Sequence, residues 1–132
     1  MSNKKSVINQ IYDYLKSEGY NVHYPGYKEL EGKEKYIVIK ADGTFQPLII
    51  SSERPIYTIM CYVPEKKYSE LETYVLNVKH SMLNLSPMVM YNRGSDTPSY
   101  YDEDAKAHMV SFQYCGCRRV ETMLDKTKKE EI

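Results

Sequence analysis

The stretch IYTIMCYVPEKKYSELETYVLNVKHSMLNLSPMVMYN, Ile56 to Asn92, decides the fold. It opens on IYTIMCYV, where both alternating sets are largely apolar: Ile56, Met60 and Tyr62 on one face, Ile59, Cys61 and Val63 on the other. A strand with two apolar faces is covered on both sides and belongs at the centre of a sheet. Pro64 stops it, because proline lacks the amide proton that a ladder needs. Tyr68, Leu71, Val75, Val78, Met82 and Leu85 then recur at steps of three and four, which predicts a helix over about residues 67–85 with its stripe on that sheet. Pro87 ends the helix, and MVMY at 88–91 returns as a strand. Leu76 and Leu83 form a second, narrower apolar line that the stripe leaves over. It implies a further contact, with the first helix or with another subunit, unless the helix simply sits deep in its own domain.

Upstream, Val7, Ile8, Ile11, Tyr14 and Leu15 recur at helical spacing behind the capping candidates Asn3 and Ser6, and Gly19 supplies a stop. A first helix is expected over residues 4–18. YNVHYPGYKELEGKEK is expected to be an irregular connection with a short strand around Tyr20 to Tyr24, and His23 in it reads as an ordinary loop histidine. YIVIKA alternates, and Asp42-Gly43 tolerates the positive φ of a hairpin turn, so residues 35–41 and 44–51 are expected to pair antiparallel. Pro47 would put the second strand at an edge, and Glu53-Arg54-Pro55 would make the next turn. Downstream, NRGSDTPSYYDED reads as a polar loop, mobile over 93–104 until a partner orders it. AKAHMVSFQYCGC alternates as a strand with His108, Val110, Phe112 and Tyr114 on one face, and should pair with MVMY. Residues 124–132, ending in DKTKKEEI, read as a flexible tail. The expected fold is one α+β domain over residues 1–132, a mainly antiparallel sheet of four to five strands packed against the long helix and the N-terminal one.

Eighteen basic residues balance eighteen acidic ones, so no global field draws the chain to nucleic acid or to an anionic membrane. No stretch approaches the roughly 20 apolar residues of a bilayer span, and MSNKKSVINQIYDYLKSEG lacks a signal-peptide core, so an unexported chain is expected. Three cysteines cannot all pair, and Cys61 lies in an apolar strand, which fits a reducing cytoplasm. Fourteen tyrosines against two phenylalanines and no tryptophan give the chain rings with polar handles, suited to partly wet interfaces.

Chemistry is sparse. Cys115-Gly-Cys117 with His108 carries zinc-ligand types, but structural zinc sites separate paired cysteines by two to four residues. Asp102-Glu103-Asp104, with Asp96 nearby, lacks the alternating acids and turn glycine of a calcium loop and reads as a solvated acidic segment. The Tyr100 and Tyr101 rings beside it are what an ordering interface uses. Arg118-Arg119 and Lys126, Lys128 and Lys129 are interleaved with acids, which argues against a nucleic-acid face. No nucleophile is placed beside a base and no phosphate loop is present, so no catalytic residue, cofactor or metal is expected. The candidate interface residues are Leu76, Leu83, Asp96, Tyr100, Tyr101, Asp102, Glu103 and Asp104.

YIVIKADGT, IYTIMCYVP, YSELETYVLNVKHSML and AHMVSFQYCG, taken in order, resemble the small tail-terminator and tail-completion proteins of bacteriophages and phage-derived particles. The resemblance lies in element order, size, neutral charge and blank chemistry. It implies a virion structural protein assembled in the host cytoplasm. Copies would form a ring, usually hexameric, that caps the tail tube and joins it to the neck or head, with tube, sheath or neck proteins as partners. It implies no catalytic residue, no membrane and no specific nucleic-acid binding, although DNA would pass through the ring past an acidic loop. The alternative is a stand-alone ferredoxin-like α+β module binding a small ligand or a protein partner around Met60, Tyr62, Met88 and Met90.

Overall fold

The computed structural model describes residues 6–27, 33–45, 52–116 and 118–119. In chain order its elements are α1 (Val7–Ser17), β1 (Val22–His23), β2 (Tyr36–Phe45), β3 (Ser52–Pro64), α2 (Leu71–Met82), β4 (Val89–Tyr91), β5 (Tyr100–Asp102), β6 (Ala107–Gly116) and β7 (Arg118–Arg119), with 3-10 turns at Glu65–Glu70 and Leu83–Leu85 flanking α2. The fold is a single α+β domain. Its seven-stranded sheet has the order β1-β2-β3-β6-β4, with β5 also on β6 and β7 on β3. The β1–β2 pair is parallel and the other pairs are antiparallel.

β3 is the central strand that its two apolar faces predict, flanked by β2 and β6 over most of its length. β3 and β4 both run antiparallel to β6, one on each side of it, so the β3–α2–β4 unit is a crossover split by an inserted strand. One sheet face, carrying Ile37, Ile39, Ile59, Cys61, Val63 and Phe112, buries against Leu71, Tyr74, Val75, Val78 and Met82 of α2 and Ile11 and Leu15 of α1. Each such aliphatic or aromatic side chain contributes about 1.5–3 kcal/mol when fully buried. The other face holds a smaller cluster of Tyr36, Val38, Tyr62, Ala105, Ala107 and Met109.

The helical stretch sits where the spacing puts it, but only Leu71–Met82 is α-helical. The first turn is 3-10 and kinked at Lys67, with φ −116° and ψ 28°, which swings Tyr68 off the apolar stripe and leaves it exposed. Tyr74, absent from the expected stripe, is buried in its place, its ring set edge-on to Tyr20 at 6.0 Å. α1 is capped by Ser6, whose hydroxyl accepts from the Asn9 amide at 3.3 Å. Gly19, at φ +95°, ends the helix: its amide donates to the Lys16 carbonyl at 3.0 Å, and the Tyr20 amide reaches the Leu15 carbonyl at 3.1 Å.

Two expected turns are strand. β2 does not fold back at Asp42-Gly43 but runs on to Phe45, pairing with β3 throughout, with a register shift between Ala41 and Thr44. Gly43 adopts the positive φ of +83° that a hairpin would need, and uses it in a β-bulge. Glu53-Arg54-Pro55 lies inside β3. Proline is tolerated there because Pro55 faces Thr44 just past the bulge and precedes Ile56, where pairing with β6 begins. Pro47, Cys117 and the expected tail at 124–132 lie outside the described residues. Among the described residues no helix is long and apolar enough to cross a membrane.

The segment read as a polar loop over 93–104 includes β5 and follows the outer edge of β6. Tyr91 stands opposite Tyr114 and Tyr100 opposite Met109, so residues 92–99 span the length that 110–113 span on β6. β4 and β5 are thus two ends of one interrupted edge strand. Side chains take over the ladder between them: the Gln113 amide donates to Ser95 Oγ at 2.9 Å and the Ser111 amide to Thr97 Oγ1 at 3.0 Å. The backbone amides of Asn92 and Thr97 also reach the carbonyls of Gln113 and Ser111, each at 2.9 Å.

Candidate functional site

Lys79 and Asp96 organise the surface between α2 and this interrupted edge. Lys79 falls three residues after Leu76 and four before Leu83, so it lies on the leftover apolar line of α2. Its ammonium donates to Asp96 Oδ2 at 2.5 Å and to the Tyr91 hydroxyl at 3.4 Å. It also stands 4.6 Å from the Tyr91 ring centre and 5.1 Å from that of Phe112. Tyr91 closes the triangle by donating its hydroxyl proton to Asp96 Oδ1 at 2.5 Å. Burial works against the Lys79 charge, but the hydrogen bonds it donates to Asp96 and Tyr91 outweigh it and hold the pKa above the ordinary lysine value. Asp96 is therefore a tie between the edge segment and α2.

On either side of this tie the surface opens into a groove. One, of about 520 Å³, runs toward the start of α2 between Glu72, Val75 and Leu76 and the segment Asp96–Ser99, with Val110 beneath. The other, of about 450 Å³, lies between Leu76, Met82 and Leu83 and the strand residues Val89, Met90 and Tyr91, with Tyr114 beneath. Leu76 lines both. Leu76 is 57% exposed, Leu83 66% and Met90 52%, so the second groove has an apolar wall without a partner among the described residues. The leftover line does not meet α1. That helix and the turn after it reach the other flank of α2 and its closing 3-10 turn, where the Asn84 amide donates to the Tyr14 hydroxyl at 2.7 Å and Tyr20 and Ser81 share a hydrogen bond at 3.1 Å. Nor is α2 set deep enough to cover the two leucines.

The remaining candidates gather at the other end of β6. The β5–β6 turn is shaped by Asp102, whose Oδ1 accepts from the amides of Asp104 at 3.0 Å and Ala105 at 3.2 Å. Glu103 and Asp104 are exposed beside Tyr100. The Tyr101 hydroxyl donates to Glu65 at 2.7 Å, which pushes its pKa above the usual phenol value. Its ring leans on His108 at 5.2 Å, and Tyr68 meets that histidine edge-on at 4.6 Å. Asp96 is thus separated from Asp102, Glu103 and Asp104, which the sequence had grouped with it. Among the described residues no three His, Cys, Asp or Glu side chains gather as metal ligands. His108 and Cys115 stand at opposite ends of the β3–β6 ladder, seven residues apart and so on opposite faces. The Met and Tyr residues considered for a ligand pocket also divide: Met60 and Tyr62 belong to one face and Met88 to the cluster under the helices.

Sequence reasoning passed over Lys79, Tyr91 and Arg93, and placed Met90 only in a ligand pocket. The spacing of Lys79 between Leu76 and Leu83 was a usable signal, but its pairing with Asp96 crosses seventeen residues of chain and has no local signature. His23 was read as a loop residue and instead lies on β1, stacked on Tyr27 with ring centres 3.5 Å apart and edge-on to Tyr36 at 6.1 Å. Its Nε2 is buried without a hydrogen-bond partner among the described residues. Burial, and secondarily the positive charge of Lys16, lower its pKa. The unfolded chain therefore takes up a proton first as pH falls below about 6.5, and stability should drop in that window. Urea midpoints measured between pH 7.5 and 5.5 should fall for the native chain, and His23→Phe should flatten that slope.

No family model matches the chain, and none of the curated proteins matches it.

Proposed function

We propose that the chain is a structural protein of a phage or phage-tail-like particle whose copies associate into a ring that caps the tail tube and joins it to the neck or head. The observation that carries the reading is the exposed wall of Leu76, Leu83 and Met90 along a groove beside the sheet edge. Single exposed leucines are ordinary on a monomer, but apolar side chains aligned along a concavity rimmed by polar groups are the usual mark of a protein contact. Two charged groups between the grooves support the same reading, since Lys79 and Asp96 pair with each other and with Tyr91. The tie keeps the groove shaped. The resemblance in element order supplies the particle, the tube-capping role and the ring. Within such a ring each interface joins two unlike surfaces of neighbouring copies.

Leu76→Glu with Leu83→Glu is the test. The double variant should keep the native melting temperature within a few degrees, because both side chains are exposed, and should run as a monomer in light scattering where the native chain assembles. An assembly of unchanged mass in the variant would remove this wall from the interface.

A further inference from the structure

We propose that the β5–β6 turn of one copy docks in the groove between α2 and β4 of the next, setting Glu103 and Asp104 against Arg93; this rests on the self-assembly reading above. The two surfaces complement each other in charge and in shape. The groove has an apolar wall of Leu76, Leu83 and Met90, and among the described residues it is lined by the basic Lys79, His80 and Arg93 and by no carboxylate. Asp96 answers the charge of Lys79 from beside the groove, which leaves the exposed Arg93 as its positive rim. The turn offers the converse: exposed carboxylates at Glu103 and Asp104, with Tyr100 52% exposed beside them. Asp102 braces the turn through the amides of Asp104 and Ala105, so the tip is presented in one shape before any partner arrives.

Geometry makes the contact intermolecular. β4 pairs with β6 at Tyr114 to Gly116, whereas β5 pairs with it at Ala107 to Met109. At about 3.3 Å per residue the groove and the tip are some 20 Å apart along one rigid strand, so a copy cannot fill its own groove. Tip into groove is a heterologous contact: each copy uses one surface forward and the other backward, which generates a closed ring or an open helical array. The apolar wall would supply the adhesion, and the opposed charges the register and the association rate. The acidic turn is then part of a subunit junction and not a lining of the ring's lumen.

Charge reversal tests the pairing in the full chain. Glu103→Lys with Asp104→Lys should weaken self-association about tenfold or more, Arg93→Glu should do the same, and the chain carrying all three should regain it. Light scattering over a concentration series reads the mass, and thermal melts check that each variant is folded. Native-like assembly by either reversed variant would overturn this contact while leaving self-assembly in place. Failure of the combined variant to recover would overturn the pairing of these two surfaces. A native chain that stays monomeric throughout would overturn the self-assembly reading along with it.

Discussion

Phe112→Ala should destabilise the fold by about 3–5 kcal/mol and lower the melting temperature by roughly 10–20 °C. Phe112 is fully buried in β6, opposite Ile59 of the central strand, where the sheet meets α2. Its ring lies 6.0 Å from that of Tyr114 and beneath the Lys79 ammonium. Alanine would remove a large buried surface and leave a cavity that paired strands on a packed helix cannot close. It would also withdraw one of the two rings that face the Lys79 charge. Phe112→Leu, which keeps most of the volume, should cost less than about 2 kcal/mol. Denaturant titration gives both values, and a loss under about 1 kcal/mol for alanine would mean that this face is not the core.

The contrast with Leu76 and Leu83 separates the two jobs of α2. Side chains on the sheet-facing stripe are buried, and their loss should appear in stability. Those on the leftover line are exposed, and their loss should appear in assembly while stability is nearly unchanged. That division was legible in the sequence, because a period of 3.6 assigns each residue of the helix between IYTIMCYV and MVMY to a face. What the period cannot say is what lies opposite the second line. The answer depends on where α1 and the turn after it dock, and they dock through Tyr14 and Tyr20 on Asn84 and Ser81, contacts made across more than sixty residues of chain.

The misread turns have a common cause. Asp42-Gly43 suits any structure that needs a positive φ, and a hairpin turn and a β-bulge both do; the choice is made by whether β3 continues alongside. Because β3 does continue through Pro55 to Ser52, the bulge wins and β2 gains two residues beyond it, Thr44 and Phe45. β5 was hidden for a different reason. Three residues, Tyr100 to Asp102, are too few to show alternation, and the strand exists because β6 already presents an edge for it to join. Between β4 and β5 the hydroxyls of Ser95 and Thr97 stand in for ladder groups, so a polar, loop-like composition is what this edge requires.

Cys61 in the native chain should react with an aromatic disulfide reagent about a thousandfold or more slowly than in the unfolded chain. Its thiol is fully buried in the middle of β3, between Ile37 and Val110 on the neighbouring strands. Burial, reinforced by Asp96 and only partly offset by Lys79, pushes the thiol well above its ordinary pKa, so both access and thiolate are lacking. A central strand opens at close to the global unfolding free energy, of order 5–15 kcal/mol, which sets the protection. Cys115 is also buried but sits one residue from the end of β6, where fraying is cheaper, so it should label first. In a chain with Cys117→Ser, peptide mapping after timed labelling separates the two. Phe112→Ala should then speed the labelling of Cys61 by the same factor by which it shifts the unfolding equilibrium. Acceleration of Cys115 alone would mean that β6 detaches while β2 and β3 stay paired, and that the split crossover opens at its inserted strand.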